Sequence, residues 1–204
     1  FFKLMLVTDK KDKPLGEYLK FIIACVESGV TSVQLREKKI SYKALLEFGK
    51  ALQAILKPRS IPLIVNDSIK VACQLDADGV HLGQSDGSVL KARQKLGENK
   101  IIGVTVDAFE QINIVNILPV NYIGVSSVFP TKNKKNIRTI WGCGGLAKIV
   151  KLSNFPMIAI GGINEANISE VIEAGAHGIA AIGAFHDARN PSNVIKNLCK
   201  QIMV

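Results

Sequence analysis

The chain has 204 residues, 48% of them apolar and 21% charged, with a formal net charge of +9. That length points to one domain over residues 1–204 with a sizeable core. No apolar run approaches the roughly 18 residues of a membrane span, and the aromatics, only 6%, mostly lie inside apolar runs; nucleic-acid binding would need them beside a Lys/Arg stripe.

In chain order, short apolar runs alternate with amphipathic segments. A strand at 3–8 precedes a helix at 17–28, a strand at 32–36 a helix at 42–57, and a strand at 63–66 a helix at 69–75. The pattern continues with strand 79–82 and helix 88–96, strand 101–106 and helix 108–118, strand 122–128 and helix 146–152. Strand 157–160 with helix 166–174 and strand 178–182 with helix 191–202 complete it. The helical period is clearest in the second helix, where Leu45, Leu46, Phe48, Leu52, Ile55 and Leu56 form one broad face. The strands lack strict alternation, as expected when both faces are covered. Segments 15–16 and 141–145 read as loops, the second because of its glycines.

Eight strand–helix repeats predict an α/β fold, the (β/α)8 TIM barrel. A flat doubly wound sheet competes, but it normally closes with fewer strands, and no G-x-G-x-x-G follows the first strand here. In a barrel the C-terminal ends of all strands open onto one ligand-binding face. Asp67 ends the third strand and Asp86 follows the fourth. Adjacent strands lie about 4.8 Å apart, so these carboxylates are placed to share a cation. Oxygen ligands without His or Cys suit Mg²⁺. Alternatively, Asp67 simply caps the helix beginning near Ile69.

In the second strand, alternation puts Gln34, Arg36 and Lys38 on one side and Val33, Leu35 and Glu37 on the other. Cations inside a barrel call for an anion, which a guanidinium binds through paired donors; a local Arg36–Glu37 or Lys38–Asp pair is the alternative. After the sixth strand comes a basic loop with Thr131, Asn133 and Lys134. Gly161-Gly162 and Ile182-Gly183 end the last two strands, where this fold recurrently binds phosphate through backbone N–H groups. Two anion-binding regions joined by a metal suggest two small phosphorylated substrates.

Phe1-Phe2-Lys3-Leu4 has no basic region before a long apolar one, so no secretory signal is expected. The four cysteines, Cys25, Cys73, Cys143 and Cys199, form no C-x-x-C pair. They are expected to be reduced, largely buried thiols of a cytoplasmic protein.

Together, Q-L-R-E-K at 34–38, V-N-D at 65–67, G-V-H-L-G-Q-S-D at 79–86, Y-I-G-V at 122–125, P-T-x-x-K at 130–134 and A-I-G-G-I at 159–163 resemble the thiamine-phosphate synthase family over essentially the whole chain. The resemblance implies a transferase that joins hydroxymethylpyrimidine diphosphate to hydroxyethylthiazole phosphate with release of pyrophosphate. It implies that Gln34, Arg36, Lys38, Asn66 and Lys134 bind the pyrimidine diphosphate and that Asp67 and Asp86 bind Mg²⁺. Thr131, Gly162, Ile182 and Gly183 would hold the thiazole phosphate. No membrane or nucleic-acid partner is implied; a homodimer is a possible assembly.

Three positions depart from the family pattern. Thr105 stands where a Ser is usual, with Asp107 rather than His nearby; Asn133 replaces a Thr; Gly183 replaces a Ser. Thr105 keeps a hydroxyl for the substrate. The sister group, the thiazole tautomerases, often lacks the second acidic residue and carries a catalytic His where this chain has Ser127. That favours the synthase, because tautomerisation needs an acid/base group. A non-catalytic phosphate-binding barrel is the remaining alternative, since fold alone does not establish chemistry. His81 reads as a packed barrel residue rather than a catalyst, and Trp141 as either a lid or a packed anchor.

Overall fold

Eight short strands, every one parallel to its neighbours, close in sequence order in the computed structural model, which describes residues 2–134 and 137–202. They are β1 (Leu4–Val7), β2 (Ser32–Leu35), β3 (Leu63–Asn66), β4 (Gly79–Leu82), β5 (Ile101–Val106), β6 (Tyr122–Ser126), β7 (Met157–Ile160) and β8 (Gly178–Ala181). Closure comes from β1 pairing with β8, with Met5 opposite Ala180, so the sheet has no free edge. This is the (β/α)8 barrel expected from the sequence.

Two apolar layers explain why the strands lack simple alternation. Val33, Leu35, Val65 and Val80 face outward into the large cluster beneath the helices. Met5, Val7, Ile64, Tyr122, Ile158 and Ala180 form a separate cluster inside the barrel. Each strand is thus covered on both faces. The interior also holds buried polar groups, Gln34 and His81, and small residues make room for the large ones. A Cβ on Gly124 would come within 2.8 Å of the His81 ring.

The connecting helices are α1 (Leu15–Glu27), α2 (Tyr42–Leu56), α3 (Ile69–Leu75), α4 (Val89–Leu96), α5 (Gln111–Val115), α6 (Gly142–Leu152), α7 (Ile168–Glu173), α8 (Gly183–His186) and α9 (Pro191–Ile202). Two segments expected to be loops are helical. Residues 15–16 begin α1 because Pro14, with φ at −55°, presets the chain direction into the first turn. Residues 142–145 begin α6 despite their glycines. Trp141 is 7% exposed, and the Trp141 and Gly142 N–H groups bond to the Ser127 and Val128 carbonyls. Tertiary anchoring thus overrides the glycine penalty, and Trp141 is a packed anchor. In contrast, α5 is shorter than expected. The Gln111 side-chain oxygen accepts from the Asp107 and Ala108 N–H groups, turning that segment before the helix starts.

Four free thiols are present, but only Cys25 is buried; Cys73 is exposed and the other two are half-buried. The expected burial therefore fails for Cys73, which lies on the outward face of α3. Among the described residues, no helix is long and apolar enough to cross a membrane.

Candidate active site

The two acidic residues meet as the strand spacing predicts. Asp67 follows β3 directly and holds the left-handed conformation, φ +65°. Its N–H is anchored to the His81 carbonyl at 2.8 Å. Asp does not cap α3: the Ser68 hydroxyl accepts from the Val71 N–H, which leaves the Asp67 carboxyl free. Asp86 is pinned by its own turn, with Oδ2 accepting from the Gly83 N–H at 2.8 Å. The Asp67 and Asp86 carboxyls lie within hydrogen-bonding reach. Burial first, and then the Asp86 carboxyl, push the Asp67 pKa up to about 6, while Lys38 and Arg36 oppose the rise.

Three cations stand close enough to sense this pair or one another. The half-buried Lys134 is held below the ordinary lysine range by burial and by Lys38 and Arg36, while Asp107 partly compensates. The Arg36 guanidinium reaches the Asn133 carbonyl at 3.4 Å, drawing the loop after β6 toward β2. Glu37 turns to the other side and accepts from the Lys10 N–H at 3.0 Å, so a local Arg36–Glu37 pair is not what this strand builds. Cations that repel each other at a barrel mouth create a favourable place for a multiply charged anion.

Beneath the mouth runs a buried hydrogen-bonded series. The Gln34 amide nitrogen reaches the Met5 sulfur at 3.5 Å; beside it the Tyr122 hydroxyl lies 2.8 Å from His81 Nδ1, and His81 Nε2 lies 2.8 Å from Thr105 Oγ1. Full burial pushes the His81 pKa down to about 4, so its ring is neutral near pH 7 and one nitrogen accepts while the other donates. His81 is packed, as expected, but it also orients Thr105. Gln84, which sequence reasoning missed, adds a 2.5 Å bond from its amide to the Thr105 carbonyl. Neither link follows from spacing, because both join residues on different strand ends. Gln34 itself is 4% exposed and lies deeper than a residue that touches ligand only from the mouth. Asn66 ends β3 half-buried, opposite His81 in the register.

The remaining candidates gather across the mouth. Gly161 and Gly162 have φ of +103° and +67°; a Cβ on Gly162 would stand 2.7 Å from the Pro130 carbonyl oxygen. Only glycine therefore lets β7 turn beside the Thr131 loop. Asn133 brings its amide nitrogen within 3.2 Å of where a Gly183 Cβ would stand. Two of the departing positions thus face each other, and Asn133 occupies space that a larger residue 183 would need. Ile182 and Gly183 begin α8, a turn absent from the sequence reading. Ser127, at the position of interest for a tautomerase, is fully buried and donates to the Phe129 carbonyl at 2.6 Å.

The comparisons decide what kind of enzyme carries this mouth. The family model described as thiamine monophosphate synthase matches residues 4–185. This chain belongs to that family. A thiamine-phosphate synthase of Chlamydia abortus is 56% identical over 198 residues, covering 97% of this chain and 93% of the relative. One from Vibrio campbellii is 42% identical over 190 residues, covering 93% of each. Among solved structures, a thiamine phosphate pyrophosphorylase from Pyrococcus furiosus superposes with a TM-score of 0.88 at 34% identity, covering 99% of this chain and 96% of its own. A 3-hexulose-6-phosphate synthase, at 20% identity and a TM-score of 0.71, shares the fold alone.

Proposed function

We propose that this chain, a thiamine-phosphate synthase by family and by full-length similarity, divides its mouth between two phosphorylated substrates. The observation that carries the division is the facing Asp67–Asp86 pair with Arg36, Lys38 and Lys134 around it. On this reading the diphosphate of the pyrimidine substrate lies against those three cations and Asn66. The thiazole phosphate lies across the mouth against Thr131, Asn133, Gly162 and the Ile182–Gly183 turn.

The carboxyl pair suits Mg²⁺. Two neighbouring acidic groups, one with its pKa raised to about 6 by burial and by the other, are relieved by a divalent cation. Among the described residues no cluster of three or more His, Cys, Asp or Glu could hold a metal, so an ion here takes two carboxylates from the protein and leaves positions for phosphate oxygens and water. When bound, Mg²⁺ neutralises charge on the leaving diphosphate.

The chain's own residues account for the rest of the reaction. The bond from the pyrimidine methylene carbon to the diphosphate oxygen breaks, a bond from that carbon to the thiazole nitrogen forms, and pyrophosphate leaves with the electron pair. Arg36, Lys38 and Lys134 stabilise the charge developing on the leaving group as fixed donors. Thr105, oriented by His81, presents its hydroxyl beside the reacting region. The chemistry depends on positioning and electrostatics rather than on a general base, which agrees with a His81 ring whose basicity burial has pushed down to a pKa of about 4. A thiazole tautomerase would need an acid/base group near Ser127, whose hydroxyl is already committed.

The test is pyrophosphate release from the two substrates, with Mg²⁺ and with a chelator. Release that requires both substrates and the metal is expected. Binding of both substrates without release would overturn the synthase reading in favour of a binding barrel.

A further inference from the structure

A second buried hydrogen-bonded series lies between the loop after β1 and the start of α8, and the reaction scheme above does not use it. Tyr18 on α1 is fully buried, with its ring against Phe21, Phe48 and His186. The Asp9 N–H donates to the Tyr18 hydroxyl at 3.0 Å, that hydroxyl lies 2.6 Å from His186 Nε2, and His186 Nδ1 lies 2.8 Å from the Ile182 carbonyl oxygen.

These contacts fix every proton. A carbonyl oxygen only accepts, so Nδ1 carries the hydrogen. In the neutral ring Nε2 then accepts, and the Tyr18 O–H must donate to it. Burial holds His186 below the ordinary histidine range, in keeping with that neutral form. The Ile182 carbonyl also receives the Phe185 and His186 backbone N–H groups, each at 3.1 Å, so three donors converge on one oxygen.

The consequence lies in the planarity of the peptide. The Ile182 C=O and the Gly183 N–H belong to one trans unit and point in opposite directions. Clamping the oxygen therefore fixes the direction of the N–H. As the first residue of α8, Gly183 has no acceptor for that N–H within the helix, and the Asn133 amide approaches the same turn from across the mouth.

We infer that Tyr18 and His186 are positioning residues that clamp the Ile182 carbonyl and so aim the Gly183 N–H at the phosphate of the thiazole substrate. This rests on the assignment of that turn under Proposed function. His186 reaches the ligand only through the peptide it holds, and Tyr18 only through His186.

Tyr18→Phe keeps the ring stack and removes the one O–H that orients His186. It should raise KM for thiazole phosphate about five- to tenfold, the scale of one misaligned hydrogen bond. Both kcat and KM for the pyrimidine diphosphate should stay within about twofold, because binding is lost equally in ground and transition states. His186→Phe should act likewise, and the double variant should be no worse than the worse single one. A kcat loss with both KM values moving together, or a fall in melting temperature with no change in KM, would make the pair merely structural and overturn the inference. Thr131→Ala separates the two ideas. If it raises KM for thiazole phosphate and Tyr18→Phe does not, the inference fails while the site assignment stands; if neither raises it, both fall.

Discussion

Replacing Asp67 with Asn should make the metal-free protein more stable and the enzyme nearly inactive. Asn is isosteric and tolerates the left-handed φ of +65° found at this position, so the backbone need not move. In the fold the carboxyl is raised from its ordinary 3.8 to about 6 by burial and by Asp86. At about 1.4 kcal/mol per tenfold, that rise corresponds to roughly 3 kcal/mol of strain once the group is ionised; solvent screening at this half-exposed site reduces it to about 1–2 kcal/mol. A carboxyl with a raised folded pKa binds its proton more tightly in the native state than in the unfolded one. Wild-type stability therefore falls as pH climbs from about 4 through about 6, and the Asn variant escapes that fall. Urea unfolding in chelator should give similar stabilities near pH 4 and a gain for the variant of about 1–2 kcal/mol at pH 7.5. With Mg²⁺ at about 100 times its Kd, the wild type should recover about 2.7 kcal/mol and the variant little. A variant less stable than wild type at pH 7.5 in chelator would show that Asp67 is not strained by its neighbour, and the case for a shared cation would go with it.

Three further outcomes follow from other parts of the molecule. Arg36→Ala should raise KM for the pyrimidine diphosphate about ten- to a hundredfold, the scale of a charge-assisted hydrogen bond. Its effect on KM for thiazole phosphate should be small, and steady-state kinetics showing equal effects would dismantle the division of the mouth. Gly162→Ala forces a side chain into φ +67° and within 2.7 Å of the Phe129 Cβ and the Pro130 oxygen. Calorimetry should record a loss of at least about 1–2 kcal/mol, and an unchanged melting temperature would contradict the local geometry. Arg93 lies at the opposite end of the barrel, where its guanidinium donates to the Gly97, Glu98, Lys100 and Pro119 carbonyls and to Asn121 Oδ1. Arg93→Met should cost about 3 kcal/mol or more by leaving these acceptors without their donor, yet the folded fraction should keep wild-type KM values.

The sequence by itself determined the barrel and which charged residues stand near the C-terminal ends of its strands. Strands such as 63–66 and 79–82 were legible because short apolar runs are covered on both faces. Asp67 and Arg36 were legible because each directly follows a strand, and Asp86 because it lies in the loop after β4; Glu37, beside Arg36, turns away to the Lys10 N–H, which alternation alone anticipates. Tertiary structure decided the rest. Glycine propensity argues against a helix at 142–145, but the Ser127 and Val128 carbonyls impose one. Ser68 takes the cap that the sequence left open to Asp67. Most plainly, Tyr18 and His186 stand 168 positions apart. Their bond exists because β8 closes onto β1 and brings α1 against the last turn of the barrel. Local pattern encodes which residues are buried and which end a strand; the partner that a buried hydroxyl or imidazole finds is set by closure of the sheet, and no spacing along the chain carries that information.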